Sequence, residues 1–366
     1  MTTAPLILLA AGGTGGHLFP AEALGVELIE RGFRVRLVTD ARALRYSGLF
    51  AKDMIDVVPS ETMRGRSPLA LARTALMLAS GVVVAFNLMR RLKPAAVVGF
   101  GGYPTVPPLL AARLAGVPGI IHDANAVLGR ANRLLSRHVK AIATSLPGVL
   151  DRDPALAGKT TTVGTPMRPM VLEAAAIAYT PPDVTGPFRV LVTGGSQGAR
   201  VMSDIVPGAI ERLEPALWGR LVLTQQVRQE DMARVRALYD KLKINAELAP
   251  FFTDLPARLA ANHLVISRSG AGTVAELAAI GRPSILVPLP GAIDQDQFAN
   301  AGVLSQANAA LRIVQTDFTP DRLASEISAL AAEPARLAAM AAAARAAGRL
   351  DAAKRLADLV IKVAGI

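Results

Sequence analysis

The segment Leu6-Ile7-Leu8-Leu9-Ala10-Ala11-Gly12-Gly13-Thr14-Gly15-Gly16-His17 limits what this chain can fold into more than any other stretch. An apolar run without alternation reads as a strand buried on both faces, as in a parallel sheet. It passes through glycines into a predicted helix over about 19–31, with Ala21, Leu24, Gly25 and Leu28 on one face and Gly32 as its stop. A glycine turn there sets bare backbone N–H groups at the positive end of a helix dipole, where a phosphate or a developing anion is stabilised. It also delivers His17 into the turn.

The pattern recurs half a chain later. Arg189-Val190-Leu191-Val192-Thr193-Gly194-Gly195-Ser196-Gln197-Gly198-Ala199 is again strand, glycine turn and helix. At 366 residues the chain exceeds one hydrophobic core. Two doubly wound α/β domains follow, with ligands expected outside the carboxyl ends of their strands. The bounds read as 1–164 and 187–340, joined by a proline-punctuated connection over 165–186 and followed by a separate tail over 341–366.

Several chemistries are excluded or disfavoured. There is no cysteine, so disulfides and thiolate chemistry are absent. The dinucleotide fingerprint fails because its third glycine falls on Leu18, which disfavours a nicotinamide dehydrogenase, and no Lys-Ser/Thr completes a P-loop. No G-x-S-x-G elbow is present. The histidines lack metal-ligand spacing, and Asp151-Arg152-Asp153 and Asp294-Gln295-Asp296 read as turns. Among the histidines, His17 is the best candidate general base, because a helix N-terminus keeps an imidazole neutral. His122 could be structural or functional, and His138 and His263 read as structural.

Three strand ends in the first half carry glycines or polar groups, at 12–17, 101–105 and 122–125, and could converge on one sheet edge. Between them lies an apolar stretch, Leu69 to Met89, whose only charge is Arg73. It reads as one or two core helices broken at Gly81. Its flanking cations, Arg64, Arg66, Arg90, Arg91 and Lys93, equally suit a patch resting on an anionic membrane. A net charge of +11 favours nucleic acid, anionic lipid or phosphorylated ligands without choosing among them. No secretory signal is evident, so the catalytic part is expected in the cytosol.

Taken together the motifs resemble the family 28 glycosyltransferases of peptidoglycan synthesis, over nearly the whole chain. Gly12-Gly13-Thr14-Gly15-Gly16-His17 and Gly101-Gly102-Tyr103 match that family's first two loops. His122-Asp123-Ala124-Asn125 and Gly164-Thr165-Pro166-Met167-Arg168 are similar to two further motifs, with Asp123 in place of glutamate and Thr165 in place of asparagine. Gly194 to Ala199 matches its phosphate loop, and Arg268-Ser269-Gly270-Ala271, Thr273 and Glu276 its nucleotide helix. The resemblance implies a GT-B fold, two Rossmann-like doubly wound domains facing across a cleft, the last helix crossing back to the first domain.

It also implies inverting transfer of GlcNAc from UDP-GlcNAc to the MurNAc 4-hydroxyl of undecaprenyl-diphosphate-MurNAc-pentapeptide, lipid I. By the same carry-over, His17 is the base. Ser196 and Arg168 hold the diphosphate region, Phe252 marks where backbone holds uracil, and Glu276 takes the ribose hydroxyls. Ser269, Gly270 and Thr273 belong to the nucleotide helix, and Gln297 reads the GlcNAc hydroxyls. Thr14, Gly15, Gly16 and Asn125 complete the site. No cofactor, metal or nucleic acid is implied. The implied setting is the cytoplasmic side of the inner membrane, as a peripheral protein on its anionic leaflet, alongside other cell-wall synthesis proteins and serving cell shape and division. Another UDP-sugar enzyme of the same fold, a lipid glycosyltransferase or a UDP-GlcNAc epimerase, is the alternative.

Overall fold

A computed structural model describes residues 4–12, 14–41, 48, 50–60, 67–196, 198–291 and 295–366, with the backbone alone for 68–71. Gly13, Arg64, Arg66, Gln197 and Asp294, all named above, lie outside the described residues. The chain forms two compact units, Met1–Arg168 with Leu350–Ile366, and Pro169–Arg349.

The first unit is built on strands β1 (Leu6–Ala10), β2 (Arg34–Thr39), β3 (Ile55–Val57), β4 (Ala96–Gly99), β5 (Gly119–Asp123), β6 (Ala141–Thr144) and β7 (Thr160–Thr162). They lie in the order β3-β2-β1-β4-β5-β6-β7, every pair parallel. The unbroken apolar run of β1 is explained by two-sided burial. Ile7 and Leu9 face Leu24, Leu28, Leu356 and Val360, while Leu6, Leu8 and Ala10 face Met89, Leu109 and Ile121. The helix predicted over 19–31 spans Gly15–Glu30. Gly15 and Gly16 therefore belong to its first turn, while Gly12 precedes it. A Cβ at Gly15 would lie 2.9 Å from Phe19 Cε2, so a larger residue there would push the Phe19 ring aside.

The apolar stretch is one continuous helix, Pro68–Leu92. Gly81 does not break it. Instead the missing side chain permits a close approach, since a Cβ there would overlap the Pro59 carbonyl oxygen and press on Pro107. The closing helix Ala352–Ala364 belongs to this unit, where Arg31 Nη1 donates to Asp358 Oδ1 at 2.6 Å.

The second unit contains β8 (Phe188–Thr193), β9 (Leu221–Gln226), β10 (Asn245–Ala249), β11 (Leu264–Ser267), β12 (Ser284–Leu286) and β13 (Ala310–Arg312). Their order is β10-β9-β8-β11-β12-β13, again parallel. Segment 165–186, expected as a connection, is divided. Its first residues stay in the first unit, and the helix Pro169–Ala175 packs on the helices Leu255–Ala261 and Ala271–Ile280 of the second. The tail expected from 341 starts later, because 341–347 complete the helix Pro334–Ala347 of the second unit. Apolar periodicity does not announce strands β3, β10 and β13. They are edge or near-edge strands, short or polar (Asn245 and Glu247 are exposed), so they carry little apolar periodicity.

Candidate active site

In the first sheet the strand order reverses between β1 and β4, and such switch points are where doubly wound sheets bind ligands. Because β1, β4 and β5 are neighbours, the turns at 12–17, 101–105 and 122–125 leave one edge side by side. His17, third residue of its helix, is half-buried among glycine backbones. A Cβ at Gly12 would lie 3.4 Å from its Cδ2, at Gly101 3.2 Å from its Cε1, and at Gly102 3.4 Å from its Cδ2. Gly101 (φ +94°) and Gly102 (φ +77°) also occupy the left-handed region, so backbone conformation favours glycine at both, with the tight 3.2 Å approach adding to it at Gly101. Burial lowers the His17 pKa below its usual 6.5, against the pull of the Asp123 carboxylate and a hydrogen bond with the Phe100 backbone. The ring is thus held neutral near pH 7.

Asp123, buried at the end of β5, organises the loop beside His17. Its Oδ1 accepts from Asn125 N–H at 3.0 Å and from Asn125 Nδ2 at 3.3 Å. Its Oδ2 accepts from Gly129 N–H at 2.8 Å and from Asn132 Nδ2 at 3.0 Å. Asn125 is therefore placed by the carboxylate, and the shorter side chain at 123 reaches all four donors. His122 points elsewhere. It is buried, its Nε2 hydrogen-bonds the Gly164 carbonyl at 2.9 Å, and Ser145 Oγ lies 3.3 Å from the same nitrogen. Thr165 Oγ1 donates to Ser145 Oγ at 2.8 Å. His122 thus ties β5 to the segment ending at Arg168, and burial lowers its pKa. Arg168 belongs to the first unit, its guanidinium stacked 3.7 Å above the Phe19 ring. Thr14 and Gly16 are exposed and Gly15 is buried.

In the second unit the switch point lies between β8 and β11. Gly194, Gly195 and Ser196 leave β8, with Ser196 exposed. A Cβ on Gly194 would overlap the Ala199 backbone nitrogen, so the turn closes only with glycine there. Ser269 and Gly270 leave β11 and open the helix Ala271–Ile280, which carries Thr273 and Glu276, both half-buried. Ser269 Oγ donates to the Gln297 carbonyl at 2.8 Å, and Gln297 Oε1 accepts the Leu289 N–H at 3.1 Å. Those two expected site residues are therefore brought into contact. Arg268, from the same motif, turns inward: its Nη1 donates to the carbonyls of Val287 (3.1 Å) and Pro288 (3.0 Å), bracing the end of β12. Phe252 is buried beneath the Arg258 guanidinium, at 4.3 Å. Asp153, from one of the D-x-D triplets, caps a short helix through the Ala155 N–H at 3.1 Å, and among the described residues no His, Asp and Glu cluster could hold a metal.

Sequence reasoning missed the residues that support these turns, Asn132, Ser145 and Gln226. For Ser145 and Gln226 the signal available was a polar side chain at or just beyond the carboxyl end of an apolar strand, as in Leu221-Val222-Leu223-Thr224-Gln225-Gln226, whereas Asn132 lies within the helix Arg130–Leu135 and had none.

Comparison with known proteins now adds to this geometry. The glycosyltransferase family 28 N-terminal domain matches residues 7–144 and the family 28 C-terminal domain matches residues 189–356. A protein of a Bradyrhizobium species (strain BTAi1) is 87% identical over the full length of both chains, and one of Bradyrhizobium diazoefficiens is 81% identical over the full length of both. Each is named UDP-N-acetylglucosamine--N-acetylmuramyl-(pentapeptide) pyrophosphoryl-undecaprenol N-acetylglucosamine transferase. Among solved structures, MurG of Acinetobacter baumannii superposes with a TM-score of 0.78 at 29% identity, covering 98% of this chain and 99% of that one. The MnaA–UDP structure of S. aureus, at 13% identity and a TM-score of 0.70, shares the fold alone, covering 98% of this chain and 96% of that one. With both halves matched and relatives alike from end to end, the chain belongs to glycosyltransferase family 28 and has that family's two-domain GT-B fold.

Proposed function

We propose that this glycosyltransferase moves GlcNAc from UDP-GlcNAc to the 4-hydroxyl of the MurNAc-pentapeptide of undecaprenyl-diphosphate lipid I, giving lipid II. The observation that carries this reading is the full-length likeness, at 87% identity, to a protein named for that transfer. The chemistry of the described residues fits. Neutral His17, in its glycine slot, takes the proton as the acceptor oxygen attacks the anomeric carbon. The bond from that carbon to the diphosphate breaks on the opposite side, which inverts the centre. UDP leaves with the electron pair. Backbone N–H groups of the Gly194–Ser196 turn, with Arg168, stabilise that charge. Glu276 takes the ribose hydroxyls, the backbone near Phe252 takes the uracil, and Gln297 takes the sugar. Thr14, Gly15, Gly16, Asn125, Ser269, Gly270 and Thr273 line the remainder. The test is UDP release from UDP-GlcNAc by purified protein. Release is expected only with a lipid-diphosphate MurNAc acceptor. Release with free sugars alone, or epimerisation of UDP-GlcNAc without an acceptor, overturns the reading.

The working position proposed for the enzyme is the cytoplasmic face of the inner membrane, in cell-wall synthesis and in company with other proteins of that process. The helix Pro68–Leu92 supports this. Thr74, Gly81, Ala85, Leu88 and Met89 face its own unit, while Leu76 (71% exposed), Val83 (62%) and Val84 point outward. Arg90 and Arg91 are exposed at its end. An apolar face bordered by cations binds an anionic interface, with each buried methylene contributing about 0.8 kcal/mol. Leu76→Gln with Val83→Gln is expected to reduce cosedimentation with anionic phospholipid vesicles by roughly tenfold or more. Unchanged cosedimentation removes this face from the binding surface.

A further inference from the structure

The C-terminal end of β9 carries a side chain that no motif above includes. Gln226 is buried, and β9 lies between β8 and β10. Its Oε1 accepts from Thr193 Oγ1 at 2.9 Å and from the Gly194 N–H at 3.0 Å. Its Nε2 donates to the Pro250 carbonyl at 3.2 Å. The orientation of this amide is dictated by chemistry: a backbone N–H can only donate and a carbonyl can only accept, so oxygen faces Gly194 and nitrogen faces Pro250. Thr193 Oγ1 in turn accepts the Gly195 N–H at 3.3 Å. One buried amide therefore bridges the glycine turn after β8 and the loop after β10 that leads into Phe252.

We infer that Gln226 is a positioning residue that sets the spacing between the diphosphate-binding glycine turn and the uracil-binding loop, so that both ends of a uridine diphosphate are met at once. This rests on the nucleotide assignment proposed above. A ligand whose base and diphosphate are seated on two separate loops binds tightly only if the loops are held at its own span, because otherwise part of the binding free energy goes into ordering them. Within the turn the left-handed Gly195 (φ +82°) and Gly198 (φ +65°) are joined by one hydrogen bond, Gly198 N–H to the Gly195 carbonyl at 3.0 Å, which shapes the turn but does not tie it to the loop after β10. Arg228 Nη2 braces only its far side, donating to the Gly198 carbonyl at 3.0 Å.

The experiment uses full-length protein, with calorimetric titration of UDP and CDP. Wild type is expected to bind UDP more tightly than CDP. Gln226→Met keeps the volume and removes all three bonds. It is expected to bind UDP roughly 10–100-fold more weakly, with kcat at saturating donor within a few-fold of wild type. Gln226→Glu retains the acceptor for Gly194 but sets an oxygen against the Pro250 carbonyl. It is expected to lose preference for UDP over CDP at pH 8 and to regain UDP affinity as the pH falls, because a protonated carboxyl again donates to Pro250. Burial raises that carboxyl's pKa into an accessible range. Wild-type affinity in Gln226→Met, or an absence of any pH response in Gln226→Glu, overturns the role of Gln226 alone. A wild-type protein that binds no UDP overturns the nucleotide assignment and this role together.

Discussion

Full-length protein carrying His17→Ala is expected to transfer GlcNAc roughly 10²–10⁴-fold more slowly in kcat, with UDP affinity little changed, because His17 itself is assigned no contact with the nucleotide and, Arg168 apart, the residues assigned to it lie in the other unit. The imidazole sits in a slot walled by Gly12, Gly101 and Gly102, so truncation leaves a ring-shaped space. Added imidazole is expected to restore part of the rate, which a purely structural role for His17 would not allow. The pH profile gives a second check. Burial depresses the His17 pKa from 6.5, so the base form persists at neutral pH and the acid limb of kcat/KM lies below 6.5. A wild-type rate in His17→Ala removes it as the base.

The same direction of shift has a consequence for stability. His17, His122 and His263 all have lowered values, His263 to about 4 through burial and the nearby Arg189 and Arg282. Between the folded values and 6.5 the unfolded chain binds more protons, so stability rises with pH across that window and is lost as the pH falls below 6.5.

The second large effect is expected at Arg282, just past the helix that carries Glu276 but in none of the sequence motifs. Its side chain is 1% exposed and serves the carboxyl ends of three helices. Nη1 donates to the carbonyls of Ile280 (2.8 Å) and Gly281 (3.1 Å), Nη2 to those of Ala260 (2.7 Å) and Ile177 (3.2 Å), and Nε to Ala260 at 3.2 Å. The Tyr179 ring lies 5.4 Å from the guanidinium carbon. Helix carboxyl ends carry unpaired carbonyls and partial negative charge, and one planar cation meets three sets of them. Burial lowers its pKa to about 10, which leaves it charged at neutral pH. Arg282→Met removes the donors and leaves the carbonyls without partners, at about 3–5 kcal/mol in total. For a unit of this size that lowers the Tm of the second unit by roughly 10 °C. Calorimetry is expected to show this unit melting earlier while the first is unaltered. A Tm within about 2 °C of wild type would mean that water replaces the guanidinium. Arg282→Lys, a point donor without the fork, is expected to fall between the two.

Comparison of the residues shows why some of this was readable in advance. Glycine followed by a helix at 12–17 and 194–199 announces a strand-to-helix turn locally, and at Gly194 only a bare Cα fits against the Ala199 backbone. An apolar run such as Leu6–Ala11 announces two-sided burial. The fold class, the family and the edge at which His17 stands were therefore legible. Gly81 was misread as a break because a glycine's local weakness is visible and its partner, Pro59, is not. His122 was ambiguous for the same reason, since the Gly164 carbonyl that engages it is far along the chain.

The sequence by itself determined which backbones could turn, which strands had to be covered on both sides, and which kind of catalyst the chain is. The tertiary structure alone decided that β1, β4 and β5 lie side by side, that Asp123 holds Asn125, that Arg268 turns inward, and that Gln226 and Arg282 brace distant segments. The physical reason is one of range. Turn geometry and two-sided burial are set by a residue and its neighbours, whereas a buried polar group is satisfied by whichever backbone the packing of the whole unit brings within about 3 Å of it.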